Sequence, residues 1–283
     1  MTNNYFIKNS EAELARLVDQ ERTIAWALGG LLPEQVDQAA FVAPLQRVLD
    51  AACGSGGWVI DMARIYPHLQ VLGFDIDANM IDYARTQAIV GRLENASFAV
   101  MDALLPLDYP DNFFDLISAR WLSVIGWQAW PQVMSELFRV MRPGGFIRLT
   151  ETEDVSVTTS SAFEQMSALF LQASRLGGFS LSPTGRSSNI APKLPYFLRN
   201  AGFQNITKHT LILDWSMGTH VYAPLVADFK LFFHLLSPYL LAQAVAIEEE
   251  VEQLHREIEI ELLADDFCAF WTFYTICAQK PPH

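Results

Sequence analysis

The sequence predicts a doubly wound α/β domain, and three observations predict it. Between residues 46 and 151, short apolar runs alternate with segments of helical period. Strict alternation of this kind implies right-handed βαβ units, hence a parallel sheet with helices on both faces. The first run leads into a glycine-bearing turn, "VLDAACGSGGW" (48–58), at the carboxyl end of a strand, where doubly wound sheets bind ligands. The third observation is size: 283 residues can bury a full sheet and carry appended elements, since cores stop growing only near roughly 250–300 residues.

The elements follow in order. Residues 10–28 read as a helix ahead of the first strand, with Ser10 and Glu13 fitting a capping box, Leu14, Leu17, Val18, Ile24 and Leu28 at helical spacing, and Gly29 and Gly30 as the stop. The runs 47–52, 70–75, 96–102, 113–120 and 145–151 read as strands, with "WVIDMARIY", "NMIDYARTQAIVGRL" and "WPQVMSELFRVM" as helices among them. After residue 152 come a helix ended by Gly177 and Gly178, a turn-rich loop over 180–192, and a short helix stopped by Gly202. Residues 205–215 alternate as a strand, and 270–280 form the last one.

The segment between those last two strands is too long for a bare loop and is mostly helical by period. In its second half Leu240, Ala244, Ile247, Val251, Leu254 and Ile258 fall at spacings of four and three, with glutamates opposite. They predict one amphipathic helix packed on the domain; a homodimer contact is the competing use of the same stripe. Repeats, low complexity and linkers are absent, so a single domain is expected: an N-terminal helical segment (1–44), a core (45–215), a helical cap inserted before the last strand (216–268), and the last strand with a tail (269–283).

Composition narrows the function. The chain is 51% hydrophobic and 12% aromatic, yet its richest run, "LFFHLLSPYLLAQAVAI" (231–247), contains His234, Pro238 and Gln243 and is shorter than the roughly 20 residues of a membrane span. It reads as buried or pocket-lining helix. The N-terminus lacks the basic start and apolar centre of a secretion signal, so the cytoplasm is the expected compartment. A net charge of −13 repels polyanions, and no Lys/Arg cluster offsets it, which disfavours a nucleic-acid partner. Three cysteines without ligand spacing predict neither a disulfide framework nor a bound metal.

The turn carries Asp50 at the strand end, then Gly54, Gly56 and Gly57. Glycine lets a ligand approach the backbone, but the same pattern also suits a tight strand–helix connection. Companions favour the ligand. Asp75 ends the next strand 19 positions after Gly56, suited to ribose hydroxyls. Asp102 and Ala103 end the third, where a carboxylate and a backbone N–H could meet an adenine edge. Asp77 reads as a helix cap.

At this point the sequence resembles a known family. "VLDAACGSGG", "VLGFDID", "VMDA", "FDLISAR", "LFRVMRPGGFIRLTE" and "LRNAGFQNI" look, in that order, like the sequential motifs of class I S-adenosylmethionine-dependent methyltransferases. The likeness spans about residues 45–215 and resumes in the last strand. It implies a Rossmann-like sheet of seven strands with the last antiparallel. It also implies roles for residues: Asp50, Gly54 and Gly56 around the methionine portion of the cofactor, Asp75 on both ribose hydroxyls, and Ile76 and Met80 near the adenine. Asp102 and Ala103 would read the adenine edge, and the Arg120 carbonyl would meet the cofactor's amino group. "MRPGGF" would be a structural turn, and Cys53 has no implied chemical role.

No residue declares itself as a catalytic base. His220 and His234 lie in the cap, Glu151 and Glu153 at the end of the fifth strand, and each has a structural or solvated reading beside the catalytic one. His68, His209, His255 and His283 are poorer candidates. Trp121, Trp127 and Phe233 are candidate walls of an acceptor pocket. The D/N-P-P-Y/F signature of amino-methylating DNA and protein-glutamine enzymes is absent after the fourth strand, which reads "SARW". A small, apolar or aromatic acceptor is therefore expected, with oxygen ahead of carbon and nitrogen. Three alternatives stay open: non-methylating chemistry on the same cofactor (cyclase or decarboxylase type), a non-catalytic cofactor-binding domain, and a nicotinamide oxidoreductase, which Val59 at the third glycine position disfavours.

Overall fold

The computed structural model describes Ile7 and residues 10–282. His283 and most of the first nine residues, on which part of the N-terminal reading rests, lie outside that description.

Among the described residues eight strands form one sheet: β1 (Arg47–Ala51), β2 (Gln70–Asp75), β3 (Ala96–Val100), β4 (Phe114–Arg120), β5 (Met141–Glu151), β6 (Val157–Thr158), β7 (Gln204–Asp214) and β8 (Ala269–Gln279). The long strands run in the order β3-β2-β1-β4-β5-β8-β7, with β1 to β5 parallel and β8 antiparallel to both neighbours. This is the expected seven-stranded sheet with a reversed last strand. The two-residue β6 is an addition, pairing with Ala269 and Phe270 beyond the end of β5. Val48 and Leu49 of β1 are fully buried, as a central parallel strand covered on both faces requires. Winding reverses between β1 and β4, which opens a crevice at their carboxyl ends.

Nine α-helices surround the sheet: α1 (Glu11–Ala27), α2 (Gln38–Val42), α3 (Gly57–Ile65), α4 (Ala78–Val90), α5 (Trp130–Val140), α6 (Ser161–Leu176), α7 (Leu194–Ala201), α8 (Tyr222–Ala242) and α9 (Glu248–Glu261), counted among the described residues. Their apolar faces form three clusters. One joins β4 and β5 to α5 and α7, one lies under α3 and α4, and one fills the space between β8 and the cap formed by α6, α8 and α9.

Several local expectations are corrected. Ser10 caps α1 through its Oγ, 3.1 Å from the Glu13 N–H, but Glu13 does not reach back to complete a capping box. Its buried carboxylate grips Arg16 at 2.7 and 2.8 Å instead. Strand β5 starts at Met141, not 145, because Met141 pairs with Phe114 before residues 142–145 bulge out and Phe146 pairs with Leu116. Strand β3 stops at Val100, although the Met101 N–H still donates to the Asp75 carbonyl at 3.0 Å.

The stripe from Leu240 to Ile258 is not one helix. Helix α8 ends at Ala242, Ala244 turns left-handed at φ 51°, and Ile247 is the extended residue before α9. Leu240, Val251, Leu254 and Ile258 are buried in the cap cluster, whereas Ala244 and Ile247 of the same stripe are exposed. Helix α8 is long and apolar enough to cross a membrane by length and composition alone. One face of it packs into the protein, with Leu225, Phe229, Phe233, Leu236 and Leu240 buried and Asp228 ion-paired to Arg16 at 2.9 Å.

Candidate active site

A cavity of about 280 Å³ opens at the switch point. The ends of three successive strands meet in it. Asp50 from β1, Gly54 from the following turn, Asp75, Ile76 and Met80 from the end of β2 and the start of α4, Asp102 and Ala103 past β3, and Arg120 from β4 all line it. Gly56 does not.

The turn explains these placements. Ala52, Gly54 and Gly56 all have positive φ, at 55°, 53° and 77°, which swings the chain sharply from β1 into α3. A Cβ on Gly56 would sit 2.5 Å from Phe98 and 2.7 Å from Ala84, so that glycine permits close packing; Gly54 has no atom within 4 Å of the same position and leaves its backbone open to a ligand. Cys53 packs beneath the turn, and burial pushes its thiol well above the ordinary value, which suits packing rather than redox or nucleophilic use.

Asp75 is held by both oxygens. One accepts from the Gly54 N–H and the other from the Asp77 N–H, each at 2.9 Å, so its orientation is fixed while each oxygen keeps a further lone pair. Asp77 caps α4 through the Asn79 N–H at 2.9 Å. Asp102 accepts from the Leu104 N–H at 2.9 Å. Burial pushes the Asp50 carboxyl up to about 7, against the pull of Arg120, with Glu21 adding to the rise and Arg148 lowering it.

Two contributors went unseen in the sequence. Glu21 of α1 crosses to the turn, where its carboxylate accepts from the Gly57 N–H (3.1 Å), the Trp58 N–H (2.9 Å) and the Ser55 hydroxyl (3.1 Å). It also pairs with Arg120 at 2.8 Å. Thus the Arg120 side chain is committed to α1. Arg148, also in the lining, is held by Glu34 at 2.8 Å and by the Ser118 hydroxyl at 3.2 Å.

A second cavity of about 160 Å³ adjoins the first, and Leu17, Gln20, Trp121 and Val124 line both. Five further aromatic residues, Phe170, Phe179, Phe229, Phe232 and Trp271, line it together with polar and charged ones that include Arg16, Glu153 and Asp154. Trp121 sits at the junction with φ 54°, its ring stacked on Trp271 at 5.8 Å. A bulky residue in the left-handed region is strained, which is characteristic of functional clefts.

The catalytic and pocket candidates are mostly placed elsewhere. His220 and His234 are exposed and line neither cavity; His220 meets the edge of Trp26, and His234 faces His255. Glu151 is buried and lines neither cavity, accepting from the Ser123 N–H and hydroxyl at 3.0 and 2.8 Å, with burial pushing its carboxyl up to about 8. Glu153 does line the second cavity. Trp127 lies outside both cavities, and Phe233 is fully buried in the cap core, whereas its neighbours Phe229 and Phe232 reach the second cavity.

Residues 48–145 match the family model described as a methyltransferase domain. The chain is 25% identical over 259 residues to methyltransferase pytC of Aspergillus terreus, covering 85% of this chain and 75% of that one. It is 26% identical over 195 residues to the demethylmenaquinone methyltransferase of Symbiobacterium thermophilum, covering 63% and 76%. In fold it is similar to Haemonchus contortus phosphoethanolamine N-methyltransferase 2, solved with phosphomonomethylethanolamine and S-adenosylhomocysteine, at 19% identity and a TM-score of 0.50 over 97% of this chain and 61% of that one. Residues 48–145 thus match a methyltransferase domain, and the strand order with its reversed last strand and the glycine turn at the switch point agree with the fold of class I S-adenosylmethionine-dependent methyltransferases.

Proposed function

We propose that the larger cavity holds S-adenosylmethionine along the ends of β1 to β3, and that the smaller one holds a small, apolar or aromatic methyl acceptor. The observation that carries this reading is the pair of adjoining cavities, one lined by three successive strand ends and the other by a mixture of aromatic and polar residues, sharing Leu17, Gln20, Trp121 and Val124. Asp50 and Gly54 lie beside the methionine portion, and Gly56 shapes the turn that presents them. Asp75 accepts from both ribose hydroxyls, with Ile76 and Met80 along the adenine, and Asp102 and Ala103 meet its edge. The backbone carbonyl of Arg120 takes the cofactor's amino group. The spare lone pairs of Asp75 and the open space beside Gly54 fit this ligand.

S-adenosylmethionine supplies a methyl group already activated on a positively charged sulfonium. The protein's work is therefore alignment and exclusion of water. Helix α1 closes the cleft through Leu17, Gln20 and Glu21, and Trp121 places an aromatic face at the junction, where positive charge is favoured. Oxygen is the preferred acceptor atom, ahead of carbon and nitrogen. A net charge of −13 favours a small molecule over nucleic acid, with the cytoplasm as the compartment of action.

Calorimetric titration with S-adenosylhomocysteine tests the cofactor reading. The wild type binds it, and Asp75→Ala binds it roughly 10- to 100-fold more weakly, the equivalent of about 1.5–3 kcal/mol for hydrogen bonds to a charged group, with the fold intact by circular dichroism. Unchanged affinity would remove the ribose assignment. Accumulation of S-adenosylhomocysteine only when an acceptor is added would separate methyl transfer from non-methylating use of the cofactor.

A further inference from the structure

We propose that Asp154 is the base of the acceptor cavity and that the acceptor presents a hydroxyl on a small aromatic frame. The inference rests on the reading of the smaller cavity as the acceptor site. Asp154 follows β5 and lines that cavity beside Trp121, Phe229, Phe232 and Trp271. The other charged residues lining it are engaged. Glu153 accepts from the Asn189 and Ala191 N–H groups, each at 2.6 Å, and Arg16 is bound by Glu13 and Asp228. Asp154 has no partner among the described residues beyond its own backbone amide. It is the carboxylate left for a ligand.

Two further wall residues point to the acceptor's chemistry. Ser174 Oγ and Trp271 Nε1 are buried without a hydrogen-bond partner, and both residues line this cavity. The indole N–H only donates, so a ligand oxygen suits it and a protonated amine does not. An anionic acceptor would face Asp154 and Glu153 with the Arg16 guanidinium already committed, so a neutral hydroxyl fits best. Glu153, Tyr274 and Arg16 are the charged or titratable groups around Asp154. Burial raises the Asp154 carboxyl above its ordinary range, which makes its ionised form a stronger base.

In the step, the acceptor oxygen gains the methyl carbon as the cofactor's carbon–sulfur bond breaks, and that electron pair stays on sulfur. The hydroxyl proton passes to the Asp154 carboxylate and then to water.

The test uses 2-naphthol as the probe. With saturating S-adenosylhomocysteine, the wild type binds 2-naphthol and Asp154→Asn binds it about tenfold more weakly, the loss expected for a charge-assisted hydrogen bond. Affinity for S-adenosylhomocysteine stays the same. With S-adenosylmethionine, Asp154→Asn loses roughly 10²- to 10⁴-fold in kcat, the acidic limb of the pH profile disappears, and Asp154→Glu recovers part of the rate. Equal binding and rate in wild type and Asp154→Asn, binding without methylation, or preferential methylation of 2-naphthylamine would overturn the proposal. A wild type that binds S-adenosylhomocysteine but not 2-naphthol would overturn the acceptor cavity and the proposal with it. Failure to bind S-adenosylhomocysteine would instead overturn the cofactor reading.

Discussion

Glu21→Ala is the substitution whose consequences the structure specifies most fully. One carboxylate oxygen takes the Trp58 N–H and Arg120, and the other takes the Gly57 N–H and the Ser55 hydroxyl. Truncation leaves the first amides of α3 unsatisfied, which by the scale of helix caps costs about 0.5–2 kcal/mol. It also strips Arg120 of its partner. Breaking a fully buried pair costs about 3–5 kcal/mol, but the Arg120 side chain is 22% exposed, so about 1–2 kcal/mol is the share expected here. The sum, about 1.5–4 kcal/mol, lowers Tm by roughly 3–7 °C for a domain of this size. Glu21→Gln keeps an acceptor for the amides and loses the ion pair, so it falls between wild type and alanine. Thermal unfolding by circular dichroism gives the stability, and calorimetry with S-adenosylhomocysteine gives the affinity, which falls as the turn loosens. A Tm within 1 °C of wild type together with unchanged affinity would refute the claim that α1 holds the glycine turn in place.

Other substitutions separate packing from binding. Gly56→Ala forces a Cβ into the Phe98 ring and Ala84 at φ 77° and costs about 2–4 kcal/mol, read as a lower urea midpoint. Gly54→Ala meets no atom, costs about 1 kcal/mol for its φ, and acts chiefly by weakening S-adenosylhomocysteine binding; equal effects of both variants on stability would contradict the assignment. The buried Glu151 carboxyl, pushed up to about 8, holds its proton in the folded state where the unfolded chain has lost it. Its contribution is complete below the ordinary carboxylate value and is lost as pH rises toward about 8. Glu151→Gln therefore flattens the fall in urea midpoint between acidic and mildly alkaline pH, and an unchanged slope would count against it.

The sheet and the gathering of its strand-end residues in one cavity were legible because parallel strands repeat one pattern: an apolar run, a turn, and a polar residue at the strand's end. Asp50, Asp75 and Asp102 follow that pattern and line one cavity. Glu21 and Arg148 were not legible, since each acts on partners more than thirty residues distant in sequence and looks locally like an ordinary charged position. Helix α8 is apolar on most faces, so its sequence carries no phase, and Phe233 could not be told from Phe229 and Phe232. The break before α9 falls at Ala244, left-handed without a glycine or proline to mark it, while the apolar spacing runs on across the gap. His220 and His234 had the right chemistry in the right insertion, but the cap turns both outward.

A crystal structure of the protein with S-adenosylhomocysteine bound tests the central claim most directly. The account predicts the nucleoside at the carboxyl ends of β1 to β3, with both ribose hydroxyls on Asp75, the adenine edge at Asp102 and Ala103, and the sulfur facing Trp121 at the junction of the two cavities. A ligand bound elsewhere, or one in this cavity with its ribose away from Asp75, would contradict it.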